Sequence, residues 1–157
     1  MNIRSTECFE IRHGSEEYRQ SVALRDEMLR RPLELKFTPD ELINEKDSFH
    51  LACRMEGEIV ACVVFKPLSR TEIHMRQMAV RSGWQGSGLG SRLLDFAEDF
   101  VFRKGFREIV LHARETAIGF YKKLGYRIES DRFIEVTIPH FVMRKSLENN
   151  RKNILTE

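Results

Sequence analysis

The chain has no apolar run approaching the roughly 18 residues that a membrane-crossing helix needs. Its first residues also lack the hydrophobic stretch of a secretory leader, so neither a membrane span nor a signal peptide is expected and the cytoplasm is the default compartment. It has no excess of one charge. The 26 Lys and Arg face 24 Asp and Glu, a net charge of +2, and the basic residues are scattered among the acids. That balance is too mild for the concentrated basic stripe of a nucleic-acid binder. Cysteine is scarce too: Cys8, Cys53 and Cys62 are odd in number and lack paired metal spacing, which argues against a disulfide frame or a zinc site. Buried free thiols are the plainer expectation, and no metal is expected. Internal repeats and low-complexity segments are missing as well.

What remains is an ordinary globular composition, 41% hydrophobic and 32% charged, with 11 Phe available for packing. At 157 residues the chain suits one domain that buries roughly 68–70% of its unfolded surface. The expected domain is 1–147, followed by a polar tail from Glu148 to Glu157 that is frayed or weakly helical. Cys8 to His13 alternates apolar and polar residues as a short strand does. Ser15 is placed to cap a helix that carries Glu16 and Glu17 in its first turn and Tyr18, Val22 and Leu29 on one face. Arg31-Pro32 should end that helix, because the residue before proline is driven out of the α region. Thr38 and Pro39 open a second short helix, in a segment, Leu33 to Lys46, with little periodicity.

Ser48 to Met55 and Glu58 to Lys66 read as strands joined by a tight turn at Glu56-Gly57. The run Ala61 to Phe65 is apolar enough to be covered on both faces. Ile73 to Val80 is a further strand. After it, Leu89, Leu93, Phe96, Ala97 and Phe100 form a helical stripe, which Gly105 stops. Glu108 to His112 is a short strand. Thr116 to Leu124 reads as a helix with Ala117, Phe120 and Leu124 inward and Gly125 at its end. Tyr126 to Ser130 and Ile138 to Ser146 close the chain as two strands. Early antiparallel turns and a central strand-helix-strand crossover together predict an α/β layer with a mixed sheet.

Between the Ile73 to Val80 strand and the long helix stand three alternate glycines, Gly86, Gly88 and Gly90. Glycine lets backbone N–H groups approach a ligand closely, and a helix start adds free amides and a positive dipole end. The loop therefore reads as an anion cradle, with phosphate or pyrophosphate as its natural occupant. A dinucleotide fingerprint needs G-x-G-x-x-G, and here the third glycine is out of place. A Walker loop needs Gly-Lys-Ser/Thr, whereas Ser91 and Arg92 follow Gly90. The remaining pattern is Gln85-x-x-Gly88-x-Gly90 after Gln77-Met78-Ala79-Val80. On this loop, on the order of elements, and on Gly119-Phe120-Tyr121-Lys122-Lys123-Leu124-Gly125-Tyr126, the chain resembles the GNAT superfamily of acyl-CoA N-acyltransferases. The resemblance covers nearly the whole chain, and Ile138-Pro139-His140-Phe141-Val142-Met143 is similar to the ElaA-type branch.

The resemblance implies a GNAT-like α/β fold with a mixed, mainly antiparallel central sheet flanked by helices, in a single acetyltransferase domain. It implies acetyl-CoA as cosubstrate. In the family the strand before the loop carries a bulge and splays from the strand after the long helix, so that the pantetheine arm lies between them. Met78, Ala79 and Val80 occupy the bulged strand here, where a backbone N–H would face the thioester oxygen. Gln85, Gly86, Ser87, Gly88, Leu89, Gly90 and Ser91 would hold the pyrophosphate, and Tyr121 matches the tyrosine that protonates the departing thiolate. His74, eleven positions ahead of Gln85, stands where some members place a glutamate base. His112, Glu115, Glu135 and His140 are reserves for that role.

No cysteine sits at a recognisable nucleophile position, which points to direct attack in a ternary complex. The acceptor implied is an amine, on a small molecule or a peptide, with no nucleic acid or membrane as partner. The last strands offer an edge for a homodimer. The alternative is a non-catalytic acyl-CoA-binding module that serves as a sensor or interaction domain.

Overall fold

The computed structural model describes residues 5–147; the expected C-terminal tail lies outside them. Two units of chain are distinguished. The first comprises the chain up to Lys66 together with Gln77–Ala97; the second comprises Pro67–Arg76 and the chain from Glu98 onward. Strand β4 (Glu72–Val80) and helix α3 (Leu89–Arg103) contribute residues to both.

In the first unit, β1 (Glu7–Ile11), β2 (Phe49–Met55) and β3 (Glu58–Pro67) pair antiparallel in sequence order. The β2–β3 turn has Glu56 at φ 51 and Gly57 at φ 79, the doubly left-handed turn whose twist suits a two-residue hairpin. Every residue of β3 from Ile59 to Phe65 is buried, so the apolar run is covered on both faces as expected. Helix α1 (Glu16–Arg25) starts where Ser15 Oγ accepts the Tyr18 N–H at 3.1 Å. Its Tyr18 and Leu24 pack with Ile11, Ala52, Ile59, Cys62 and Ala79. Proline does not end this helical path. The chain passes through a π turn (Asp26–Arg30) into a 3₁₀ turn (Arg31–Leu33), and Arg31 stays helical at φ −58, ψ −41. Pro32 falls at the start of the 3₁₀ turn, where its missing N–H has no bond to lose; the left-handed Glu34, φ 58, ends the run instead.

Helix α2 (Pro39–Ile43) carries a complete capping box, Thr38 and Glu41 bonding each other's backbone N–H groups. The aperiodic segment around it is held through its backbone. His13 Nε2 donates to the Leu42 carbonyl at 2.9 Å and His50 Nε2 to the Glu45 carbonyl at 2.9 Å. The Glu45 carboxylate accepts from Arg25 Nη1 and Nη2, at 2.8 and 2.9 Å, and from Tyr18 Oη at 2.8 Å. Arg25 is entirely buried.

In the second unit, the first half of β4 pairs parallel with β5 (Glu108–Arg114), as a helical crossover requires. Strand β8 (Ile138–Ser146) then pairs antiparallel with β5, with β6 (Arg127–Ile128) and with β7 (Phe133–Glu135). The architecture is thus mixed and mainly antiparallel, flanked by helices. Two expectations need correction. The strand expected over Tyr126 to Ser130 shrinks to two residues, and the stretch after it supplies β7, which hairpins onto β8 through Val136 and Thr137, both at positive φ. Helix α4 (Ile118–Lys123) follows a 3₁₀ turn (Glu115–Ala117), which shifts its inner face: Tyr121 is buried, while Ala117, Phe120 and Leu124 are only half-buried. Glu98 of α3, outside the expected apolar stripe, is also buried, accepting from Tyr126 Oη at 2.8 Å and Lys145 Nζ at 2.8 Å. Among the described residues no helix is long and apolar enough to cross a membrane.

Burial alone would raise the Glu45 carboxyl pKa, but the hydrogen bonds and charge of Arg25 outweigh it and hold the group below its ordinary 4.5. Removing one partner strands the other charge, so Glu45→Ala should cost about 3–5 kcal/mol in urea melts, whereas removing the exposed Glu16 of the Glu16–Arg19 pair should leave the melt almost unchanged. A depressed pKa contributes stability above the unfolded value and loses it as pH falls through the folded one. The stability gap between wild type and Glu45→Ala should therefore close as the pH drops below 4.5.

Candidate functional site

In the first unit the candidate residues follow a break in β4. Gln77 has φ 51 inside the strand, a left-handed conformation that costs a non-glycine residue roughly 1–2 kcal/mol and bends the strand as a β-bulge does. Arg25 Nη1 donates to Gln77 Oε1 at 2.7 Å, so the buried guanidinium that holds Glu45 also fixes the bulge. Beyond it, Ala79 packs into the core, while Met78 and Val80 are half-buried.

The loop begins at Arg81, whose N–H donates to the Val60 carbonyl at 2.8 Å and whose Nη2 donates to the Ile59 carbonyl at 3.2 Å. Two tight turns follow: Trp84 N–H donates to Arg81 O at 3.0 Å, and Ser87 N–H to Trp84 O at 3.3 Å. Ser87 Oγ also donates to Trp84 O and accepts from the Leu89 N–H at 3.4 Å. The Gln85 side-chain amide donates to Val80 O at 3.3 Å, bracing the end of β4. Gly86 and Gly88 stand at φ 79 and φ 90. A side chain at Gly86 would meet nothing within 4 Å, so its backbone conformation demands glycine there, and the space beside it is open. The first helical bond of α3 runs from Arg92 N–H to Gly88 O, 3.1 Å. The N–H groups of Leu89, Gly90 and Ser91 thus precede any intrahelical acceptor, at the positive end of a helix of 15 residues. Amides so placed suit a negatively charged group.

In the second unit strand register assembles an imidazole and carboxylate group. His74 pairs with Val110, and His112 lies two residues further along the same face of β5; their rings stand 4.9 Å apart. His140 is opposite both Arg114 and Phe133. The Phe133 ring lies edge-on to His112 at 5.3 Å and stacks on His140 at 6.0 Å. His112 Nδ1 and Glu135 Oε2 are 2.7 Å apart. An ionised carboxylate only accepts, so His112 donates from Nδ1 and keeps its Nε2 lone pair for another proton when neutral. His140 Nδ1 donates to the Ile138 carbonyl at 2.7 Å. Four of the five proton-acceptor candidates therefore gather on one sheet face. Glu115 does not join them; it pairs with Arg132 at 3.5 Å.

Tyr121 is buried beside the rings of Phe120 and Tyr126, at 5.1 and 5.7 Å, and burial pushes its pKa up to about 12. Sequence reasoning missed two contributors. Arg25 gave no signal, because an arginine on a helix reads as solvated and Gln77 lies 52 positions away. Phe133 was missed with β7, whose only sequence signal is the short Phe133-Ile134-Glu135 alternation.

A positive-φ glycine loop between a strand broken at Gln77 and a long helix, in a mixed mainly antiparallel sheet, is an arrangement of the acyltransferase type. The family model described as Acetyltransferase (GNAT) family matches residues 7–126, and the chain belongs to that family. Among curated proteins it is 34% identical over 76 residues to the uncharacterized protein YyaT of Bacillus subtilis, covering 48% of this chain and 51% of that one; the match thus spans about half of that relative's length. It is 27% identical over 159 residues to the uncharacterized N-acetyltransferase YitI of Bacillus subtilis, covering 95% of this chain and 96% of that protein. The fold is shared with an aminoglycoside 6'-N-acetyltransferase complexed with coenzyme A (TM-score 0.76, 19% identity, 90% and 97% covered). Escherichia coli ElaA shares it too (TM-score 0.74, 17% identity, 89% and 99% covered).

Because burial disfavours the phenolate, Tyr121 should stay protonated throughout the neutral range. The difference in phenolate absorbance between wild type and Tyr121→Phe should show no ionisation below the ordinary value of 10.0.

Proposed function

We propose that this chain is an acetyl-CoA-dependent N-acetyltransferase that moves the acetyl group to a primary amine by direct attack in a ternary complex. The observation that carries this reading is the glycine loop, with its open space beside Gly86 and its first-turn amides, in a chain of the GNAT family. The amides of Gly88 to Ser91 bind the pyrophosphate, with Gln85, Gly86 and Ser87 shaping the loop. The backbone of Met78, Ala79 and Val80, re-aimed by the bulge at Gln77, receives the pantetheine arm and offers an N–H to the thioester oxygen. A fixed donor where negative charge develops can be worth about 2.7–4 kcal/mol of barrier.

An amine at neutral pH is mostly protonated and must lose that proton before it attacks. His74 is the acceptor proposed, supported by its position eleven residues ahead of Gln85 and by the neighbouring His112–Glu135 pair, which can take the proton onward. Tyr121, neutral in its buried setting, gives its proton to the departing thiolate. The acceptor class is a primary amine on a small molecule or peptide, and the compartment proposed is the cytoplasm.

Acetyl-CoA at about 100 times its dissociation constant should stabilise the chain by about 2.7 kcal/mol, a rise in melting temperature of roughly 5–11 °C for a protein of this size; ATP and NAD should give none. No shift at millimolar acetyl-CoA would overturn the proposal. With an accepted amine, Tyr121→Phe should lower kcat by about 10²-fold or more, the usual scale of a positioned proton donor, and leave KM for acetyl-CoA nearly unchanged. Coenzyme binding without turnover across a broad amine panel would instead favour a non-catalytic acyl-CoA-binding module.

A further inference from the structure

The three cysteines sit in three different environments, and two of them face each other. Cys8 of β1 is directly opposite Cys53 of β2 in an antiparallel pair. Residues so opposed have Cα atoms about 4.5–5.5 Å apart, inside the roughly 4.4–6.8 Å that a disulfide spans. The two Sγ atoms are 2.7 Å apart. Neither sulfur is bonded to another cysteine; all three are free thiols. Cys53 is fully buried and Cys8 half-buried.

The electrostatic setting distinguishes them as well. Cys8 is held below the ordinary thiol value, first by the hydrogen bond from Cys53 and, against its partial burial, by the charge of Arg92; Asp95 opposes this weakly. Arg92, in the first turn of α3, is fixed by its Nη2 donating to the Thr6 carbonyl at 3.0 Å. Cys53 is pushed up by the same contact with Cys8 and by burial. Cys62 lies apart, donating to the Ser21 carbonyl at 3.6 Å, and burial pushes it up to about 12.

We propose that Cys8 and Cys53 form a dithiol oxidation site, which a hydroperoxide converts to a cross-strand disulfide. The Cys8 thiolate attacks one peroxide oxygen; the O–O bond breaks and the far oxygen, taking up the proton that the thiol gave up on ionising, leaves as water, or as an alcohol for an organic peroxide, leaving a sulfenic acid on Cys8. The Cys53 sulfur then attacks Sγ of Cys8. The S–S bond forms, the S–O bond breaks, and the hydroxyl leaves as water with the Cys53 proton. Two thiols lose two electrons, the peroxide gains them, and an external dithiol reverses the change. This site is independent of the acetyl-transfer reading.

The test treats the native full chain with hydrogen peroxide, quenches it, and alkylates the remaining thiols under denaturing conditions before intact-mass and peptide analysis. Three alkyl groups are expected on the untreated chain and one, on Cys62, after peroxide. A linked peptide pair containing Cys8 and Cys53 should appear, and dithiothreitol should restore all three sites. Cys62→Ser should leave the linkage intact, and Cys53→Ser should stop the reaction at a sulfenic acid on Cys8 that dimedone traps. Alkylation of all three cysteines after peroxide, oxidation of Cys8 to sulfinic acid without any linkage, or a bridge to Cys62 would each overturn the proposal. The wild-type peptide map decides between these outcomes even if a variant fails to fold.

Discussion

Arg25 is a charge with none of its side chain exposed, and partners from two separate stretches of the first unit converge on it. A guanidinium taken out of water is tolerated only when good hydrogen bonds replace the lost solvation. Glu45 supplies a two-pronged carboxylate and Gln77 a carbonyl oxygen. Those partners come from two functionally distinct places, the segment after α2 and the bulge of β4. One side chain thereby ties an otherwise aperiodic stretch of chain to the residue whose left-handed backbone re-aims Met78, Ala79 and Val80.

The bulge and the glycine loop are related problems in backbone geometry. Both need φ values that ordinary residues avoid. At Gly86 and Gly88 the chain meets the need with glycine, which adopts such angles without steric penalty. At Gln77 it uses a residue whose side chain is caught by Arg25, and the strain is offset by that contact. A glycine at Gln77 would ease the strain and forfeit the tether. The two solutions leave different traces: one is visible as a motif, the other only as a buried ion network.

Much of the architecture was legible in the order of residues. The Ser15 and Thr38 caps, the Glu56-Gly57 hairpin, the doubly covered β3, the glycine loop and the stop at Gly105 all depend on neighbours within a few positions, and all are found. So was the family, through Gln85-x-x-Gly88-x-Gly90 and the segment around Tyr121. The phase of α4 was misjudged because a 3₁₀ turn of three residues rotates the helix that follows, and apolar periodicity does not register so short a change. Strand β7 was missed because three residues carry too little alternation to read; its hairpin uses Val136 and Thr137 at positive φ, which no turn rule anticipates from β-branched residues.

By itself the sequence determined most of the elements, the Ser15 and Thr38 caps, the Glu56-Gly57 turn and the glycine loop, because each rests on local backbone preference and short-range periodicity. Tertiary structure alone decided which distant side chains meet. His112 found Glu135 through β8, which pairs with both their strands; Cys8 found Cys53 across 45 positions of chain; and Arg25 found Gln77 across 52. Each of those meetings depends on strand register or on satisfying a desolvated charge, and both are settled only when the chain closes on itself.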